Sequence, residues 1–172
     1  MPIPSYLSSF LWMQQLRGAE TFAQKFPGDW LVWEPGHWQA PSPRGSTLTV
    51  TMTGEAAKGA RATGGDSLCF HLGIATDARA VSVGREPQNE LVVNDGTVSR
   101  VHAQLFGRGS LWNVKPAGGR TVSISGTPVP ESGMPMLPGK VLLLGGVNLS
   151  FHDVSSLLRR LSQNTPPPPT TT

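Results

Sequence analysis

The chain has 172 residues, a length sufficient for one domain with its own hydrophobic core and an appendage but too short for two full domains. A composition of 38% hydrophobic and 15% charged residues, with 20 glycines and 16 prolines, favours a folded protein of short strands and turns over a helical bundle. The 14 basic and 11 acidic residues give a formal charge of +3 without a run of Lys or Arg, so we expect no nucleic-acid partner.

The sequence indicates neither a membrane protein nor one from an oxidising compartment. The single cysteine, Cys69, cannot form an internal disulfide, and no signal-peptide pattern is present. The longest apolar stretch, from Tyr6 to Met13, is shorter than the roughly 20 residues needed to span a bilayer. The histidines and the cysteine lack metal-ligand spacing. We therefore expect a cytoplasmic protein with no membrane partner, metal or cofactor; the oligomeric state is not indicated.

Residues 1–34 predict a helical segment rich in tryptophan, which either packs on the rest of the chain or forms a separate interaction element. Ser5 and Gly18 are predicted to begin and end a first helix, whose apolar residues recur at helical spacing: Tyr6, Phe10, Met13 and Leu16. A second helix is predicted over residues 19–26, and residues 30–33 predict a buried strand.

Two further segments have the composition of connectors. Residues 35–65 are rich in Pro, Gly, Ala, Ser and Thr and predict a loosely ordered connector, in which Leu48, Val50 and Met52 alternate with threonines as in an edge strand. Near the other end, residues 154–161 predict a short helix and residues 162–172 a disordered tail of Pro and Thr.

Residues 66–153 contain short apolar runs separated by turns, a pattern that predicts an all-β sandwich or barrel. The predicted strands lie at 68–72, 80–83, 90–93, 101–106, 111–114, 121–124, 140–144 and 147–151. This region is the expected core domain of the chain.

Two motifs in this region place hydrogen-bond donors at the ends of predicted strands. Gly84 and Arg85 end one strand, and Ser99 begins another fourteen residues after Arg85. Arg85 offers a planar fork of donors that can bind two phosphate oxygens, Ser99 adds a neutral donor, and Gly84 allows a close backbone turn. If these strand ends lie together, the set suits a phosphate dianion on a peptide.

The motifs resemble the forkhead-associated (FHA) domain family, whose pattern runs Gly-Arg, then a turn rich in Asn and Asp, then Ser-x-x-His. Gly84-Arg85, residues 90–95 and residues 98–103 are similar to three blocks of that pattern. The resemblance implies an FHA-like antiparallel β-sandwich over residues 66–153 with a short helical N-terminal extension. It also implies a non-enzymatic, phosphothreonine-dependent binding module in Ser/Thr-kinase signalling, with a phosphorylated protein or Ser/Thr kinase as partner.

The resemblance assigns roles to single residues. It implies that Arg85 and Ser99 contact the phosphate and that His102 braces their loop by hydrogen bonding. Asn94 and Thr97 would shape the neighbouring loop, and Gly84 would support the turn.

Arg100 and Arg120 complete the predicted binding residues. Arg100 could add charge at the rim of the site. Arg120 aligns without gaps with a family Asn that binds the peptide main chain, whereas a shift of one residue would place Gly119 there. An arginine at this position could favour acidic ligands, add a phosphate contact, or mark the loss of phosphopeptide binding. The family's Asn-Gly turn is replaced by Ser125-Gly126.

Two other functions are compatible with parts of the sequence. The first is a phosphate-independent assembly or scaffold protein on an FHA fold, in which the apolar N-terminal segment makes the contact. The second is a small serine hydrolase, because Gly65-Asp66-Ser67-Leu68 spells the nucleophile block of the GDSL hydrolases. That family needs Asp-x-x-His near the chain end, whereas this chain has only His152-Asp153 in reverse order.

Overall fold

A computed structural model describes residues 4–34 and 66–163. The predicted edge strand around residues 48–52 and residues 164–172 of the predicted tail lie outside the described residues. Ser162 and Gln163, predicted to begin that tail, belong instead to the last helix. No helix in the described part of the chain combines the length and the apolar character that crossing a membrane requires.

Two sheets form a β-sandwich, which confirms the predicted fold class. One sheet has seven strands in the order β1-β3-β2-β12-β11-β8-β9, and the other has five in the order β10-β7-β6-β4-β5. All pairs are antiparallel except β4 with β5. The strands are β1 (Ser5–Tyr6), β2 (Asp29–Glu34), β3 (Leu68–Gly73), β4 (Ala80–Gly84), β5 (Leu91–Val92), β6 (Ala103–Arg108), β7 (Leu111–Pro116), β8 (Val122–Ile124), β9 (Thr127–Pro128), β10 (Met134–Pro135), β11 (Val141–Leu144) and β12 (Val147–His152).

Strand β2 is central to the seven-stranded sheet although it comes from the N-terminal segment. Leu31 pairs with Phe70 of β3 and with Phe151 of β12. Successive side chains of β2 belong alternately to two hydrophobic clusters. Leu31 and Trp33 lie in the sandwich core, and Trp30 and Val32 lie in a second cluster. A strand covered on both faces reads as a continuous apolar run. The sandwich therefore includes a strand from outside residues 66–153.

Three helices cover the outer face of this sheet and form a third layer. They are α1 (Leu7–Arg17), α2 (Ala19–Lys25) and α3 (Val154–Gln163). Phe10 packs edge-on against Trp30 at 5.0 Å between ring centroids and against Phe22 at 5.6 Å. Leu157 and Leu161 of α3 are fully buried in the same cluster. The terminal segments thus pack on the sandwich.

The first helix begins differently from the prediction. Ser5 is not its N-cap, because Ser5 lies in β1 and pairs with Cys69. Two free backbone donors of the first turn are satisfied by the residues just before β3: the Leu7 N–H donates to the Ser67 carbonyl at 2.8 Å, and the Ser8 N–H donates to Asp66 Oδ1 at 3.3 Å. The predicted stop is correct, since Gly18 follows α1 with φ of 82°.

A largely buried polar cluster joins β2 to α3. Glu34 of β2 accepts hydrogen bonds from Arg160 of α3, from Ser150 at 2.7 Å and from Ser67 at 3.0 Å. Burial alone would raise the pKa of the Glu34 carboxyl, but the hydrogen bonds and charge of Arg160 outweigh it and lower that pKa. His152 donates or accepts at Ser150 and Ser156, and burial, aided by the charge of Arg160, lowers its pKa to about 4. Breaking such a buried pair leaves an uncompensated charge, so the cluster fixes α3 on the sheet.

Candidate functional site

Three loops meet at one end of the five-stranded sheet. Strand β4 ends beside the start of β6, with Val83 paired to Ala103, and β6 starts beside the end of β7, with Ala103 paired to Pro116. The loops at residues 85–90, 93–102 and 117–121 therefore lie side by side, and we call them the site loops. They carry all of the residues predicted to bind a ligand.

Arg85 and Ser99 are joined directly through the backbone. The Arg85 N–H donates to the Ser99 carbonyl at 3.0 Å, and the Glu86 N–H donates to the Arg100 carbonyl at 3.3 Å. The Arg85 side chain is exposed, and no residue in the ranges 4–34 and 66–163 hydrogen-bonds or ion-pairs with its guanidinium. The half-buried Ser99 hydroxyl lies on the adjoining loop. The backbone hydrogen bond thus places an arginine and a serine from two site loops next to each other.

Gly84 permits the close approach of these two loops. A Cβ at Gly84 would lie 2.2 Å from the Arg100 carbonyl oxygen and 2.8 Å from Asn89 Nδ2. No side chain fits at that distance, because the nearest atom belongs to the backbone. Gly84 is therefore required where β4 passes under the loop that carries Ser99 and Arg100.

Asn89 is a supporting residue that the sequence analysis missed. Its side chain is buried, and Nδ2 donates to the Arg100 carbonyl at 2.6 Å and to the Glu86 carbonyl at 2.9 Å. The amide thus ties two site loops together. The only sequence signal was an Asn in a turn between two strands, which is common in β-proteins.

His102 connects the loop of Ser99 to the loop of Arg120. Its Nδ1 accepts the Ser99 N–H at 3.0 Å, and its Nε2 lies 3.1 Å from the Thr121 carbonyl. A backbone N–H can only donate, so Nδ1 carries no proton and Nε2 donates to Thr121. The ring is buried, and it holds Ser99 and Thr121 on opposite sides of one imidazole.

Thr97 orders its loop and attaches it to the other sheet. Its N–H and hydroxyl both donate to Asp95 Oδ1, at 2.8 and 2.6 Å, and its hydroxyl accepts the Gly146 N–H at 2.8 Å. Gly146 lies in the turn between β11 and β12. Asn94 is half-buried in the same loop. Asp95, which was not predicted as a site residue, is the acceptor that shapes this turn.

Arg100 and Arg120 add positive charge around Arg85. Arg100 Nε lies 4.0 Å from Glu86 Oε1, and 74% of the Arg100 side chain is exposed, so this pair is weak. The exposed Arg120 follows Gly118 and Gly119, and its N–H donates to the Ala117 carbonyl at 2.9 Å in a tight turn. The Arg120 guanidinium has no hydrogen bond or ion pair with any described residue. The described part of the chain also contains no group of His, Cys, Asp and Glu suited to a metal ion.

Ser67 is not placed for nucleophilic catalysis. Its side chain is fully buried and donates to Glu34 Oε2 at 3.0 Å, beneath the helical layer. A nucleophilic serine needs a neighbouring base and access to substrate. Ser67 is instead part of the polar cluster around Glu34.

Comparisons with known proteins agree with this fold. Residues 81–145 match the model of the FHA domain family. The structure resembles the FHA domain of the CT664 protein from Chlamydia trachomatis, with a TM-score of 0.50 at 18% identity over 73% of this chain and 97% of that chain. It also resembles Mycobacterium tuberculosis EmbR in complex with a low-affinity phosphopeptide, with a TM-score of 0.47 at 13% identity over 81% of this chain and 30% of that chain.

A third similar structure is the N-terminal FHA domain of Rad53p from S. cerevisiae in complex with a phosphothreonine peptide. Its TM-score is 0.40 at 17% identity, over 44% of this chain and 68% of that chain. No curated protein sequence matches the chain significantly. The matched residues 81–145 include every predicted ligand-binding residue, from Arg85 to Arg120. Over residues 81–145 the chain matches the forkhead-associated domain family and has its fold.

Proposed function

We propose that this protein binds phosphothreonine-containing segments of a phosphorylated partner protein or Ser/Thr kinase, as a cytoplasmic module of Ser/Thr-kinase signalling. The observation that carries the proposal is the direct hydrogen bond between the Arg85 and Ser99 backbones, beside an exposed guanidinium that has no partner among the described residues. The solved EmbR and Rad53p structures contain a phosphopeptide and a phosphothreonine peptide, respectively.

Each donor has a separate part in the proposed contact. Arg85 would grip two phosphate oxygens with its planar fork, and the Ser99 hydroxyl would donate to a third. His102 keeps Ser99 in place through the Ser99 N–H, so it acts as a positioning residue. Arg100 would raise the local positive potential, because Glu86, the carboxylate that pairs with it among the described residues, is 4.0 Å away and 41% exposed. Hydrogen bonds to charged groups contribute about 1.5–3 kcal/mol each.

The test is fluorescence-anisotropy titration with a degenerate phosphothreonine peptide library and its unphosphorylated counterpart. We expect binding only of the phosphorylated library, and a loss of about 10- to 100-fold for Arg85→Ala, from the strength of charged hydrogen bonds. Arg108→Ala is the matched control, since Arg108 is an exposed arginine at the opposite end of β6. Equal binding of both libraries, or equal effects of the two variants, would refute the proposal.

The alternative of phosphate-independent assembly through the N-terminal segment is less well supported. That segment would have to present an apolar surface, yet Leu7, Phe10 and Phe22 are buried against the seven-stranded sheet. Binding that survives both phosphatase treatment and Arg85→Ala would nevertheless favour it.

A further inference from the structure

Arg120 lies apart from the point where Arg85 and Ser99 meet. Arg85 follows β4, whereas the loop of Arg120 follows β7, and β6 lies between these two strands. Neighbouring strands are about 4.8 Å apart, so the two strand ends are separated by about 10 Å. The backbones of Arg85 and Arg120 therefore lie at different positions along the same end of the five-stranded sheet.

The loop of Arg120 is nevertheless fixed relative to Ser99. The buried His102 ring bonds the Ser99 N–H on one side and the Thr121 carbonyl on the other. The Ala117 N–H donates to the His102 carbonyl at 3.0 Å, and the Arg120 N–H closes the turn on Ala117. A loop anchored to His102 at two points and closed by its own turn presents the Arg120 side chain from a defined position.

The Arg120 side chain forms no ion pair with the described part of the chain. It is exposed and also has no hydrogen bond within residues 4–34 and 66–163. The carboxylate nearest to Arg100, Glu86, lies on the loop after β4, two strands from the Arg120 loop. An unpaired arginine beside an anion site, held on an ordered loop, suits a further negative group on the same ligand.

We propose that Arg120 binds a second anionic side chain of the phosphopeptide, a carboxylate or a second phosphate, a few residues from the phosphothreonine. This inference rests on the proposed function and adds a ligand preference to it. An extended peptide advances about 3.3 Å per residue, so a ligand that crosses the ends of β4, β6 and β7 reaches Arg120 within a few residues. Arg120 is then a specificity-determining residue, distinct from the residues that hold the phosphothreonine.

The experiment compares peptides that share one phosphothreonine and differ in a single flanking residue. Glu, phosphoserine or Gln is placed in turn at each of the five positions before and after the phosphothreonine, and affinities are measured for the wild-type chain and for Arg120→Gln. We expect Glu at a favoured position to bind about fivefold more tightly than Gln there, the upper range for an exposed ion pair. Phosphoserine should exceed Glu if a second phosphate is the natural ligand group.

The tighter binding of the Glu peptide relative to the Gln peptide should disappear in Arg120→Gln. The affinity for the peptide with Gln at every flanking position should change less than twofold. Arg108→Gln removes the same charge at the far end of β6 and should leave the gain intact. If Arg120→Gln weakens neutral and acidic peptides equally, Arg120 contacts the phosphothreonine itself and the inference is wrong. If no flanking position shows a gain although binding still needs phosphate and Arg85, the inference fails and the proposed function stands. If no binding depended on the phosphate, both the inference on Arg120 and the proposed function would be wrong.

Discussion

Replacing Gly84 by alanine should separate the two loops on which the proposed ligand binding depends. The added Cβ would lie 2.2 Å from the Arg100 carbonyl oxygen and 2.8 Å from its carbonyl carbon, and both atoms are backbone. Neither can rotate away as a side chain would, so the loop of Ser99 and Arg100 must shift relative to β4. The hydrogen bonds from Arg85 N–H to Ser99 and from Asn89 to Arg100 span this contact and would be stretched.

The size of the effect follows from the cost of overpacking. Inserting a methyl group into a well-packed site typically costs about 1–3 kcal/mol. For a chain of this size, each kcal/mol lowers Tm by about 2–4 °C, so we expect a fall of about 5 °C. Phosphopeptide affinity should fall about tenfold, because a shift of the Ser99 loop misaligns the donors of the proposed site.

Gly96→Ala is the matched control in the same set of loops. A Cβ at Gly96 has nothing within 4 Å, so this variant adds the same methyl group without a clash. Thermal unfolding followed by circular dichroism and anisotropy titration would be run on both variants. If Gly84→Ala and Gly96→Ala had the same Tm and the same affinity, the close packing of β4 against the Arg100 carbonyl would contribute neither to stability nor to phosphopeptide binding.

Two further variants test the buried histidines. His102→Ala removes the acceptor of the Ser99 N–H and the donor to the Thr121 carbonyl. The free energy of unfolding measured in urea should fall by about 1–3 kcal/mol, and phosphopeptide binding should weaken. Unchanged affinity would show that His102 does not position Ser99. His152 has a pKa lowered to about 4 by burial, so the native state takes up fewer protons than the unfolded chain between about pH 4 and 6.5. Stability should therefore fall as the pH is lowered through that window, by up to about 3 kcal/mol, and His152→Gln should flatten the profile. If the stability of His152→Gln fell with pH as steeply as that of the wild-type chain, His152 would not be the source of this pH dependence.

The strands of the sandwich could be predicted because each is a short apolar run bounded by turns. β3, β4, β7, β11 and β12 begin and end within two residues of the predicted positions. The two-residue strands β1, β9 and β10 were missed, since a pattern of period two cannot be recognised in two residues. Residues 30–33 were predicted as a strand, but their place between β3 and β12 depends on partners more than thirty residues away.

The candidate ligand-binding residues stand out in the sequence more clearly than the residues that support them. Arg85 and Ser99 stand in short motifs with a chemical meaning of their own, and the strand pairing brings them together. Asn89 and Asp95 act through hydrogen bonds to neighbouring loops, and nothing in their sequence context distinguishes them from ordinary turn residues. Ser5 was misassigned for a similar reason, because the donors it was expected to cap are satisfied by Asp66 and Ser67.

The helical layer and the site loops occupy different parts of the sandwich, which separates their physical roles. α1 and α3 contact β1, β2 and β12 of the seven-stranded sheet, and the largely buried pair of Glu34 and Arg160 holds the last helix to β2. The site loops extend from β4, β6 and β7 of the five-stranded sheet. They join the seven-stranded sheet where Thr97 meets Gly146 and where the loop at residues 117–121 leads into β8. Because a side chain positioned by packed strands is held more accurately than one on a free loop, the helical layer supports the site loops through the rigidity of the sandwich.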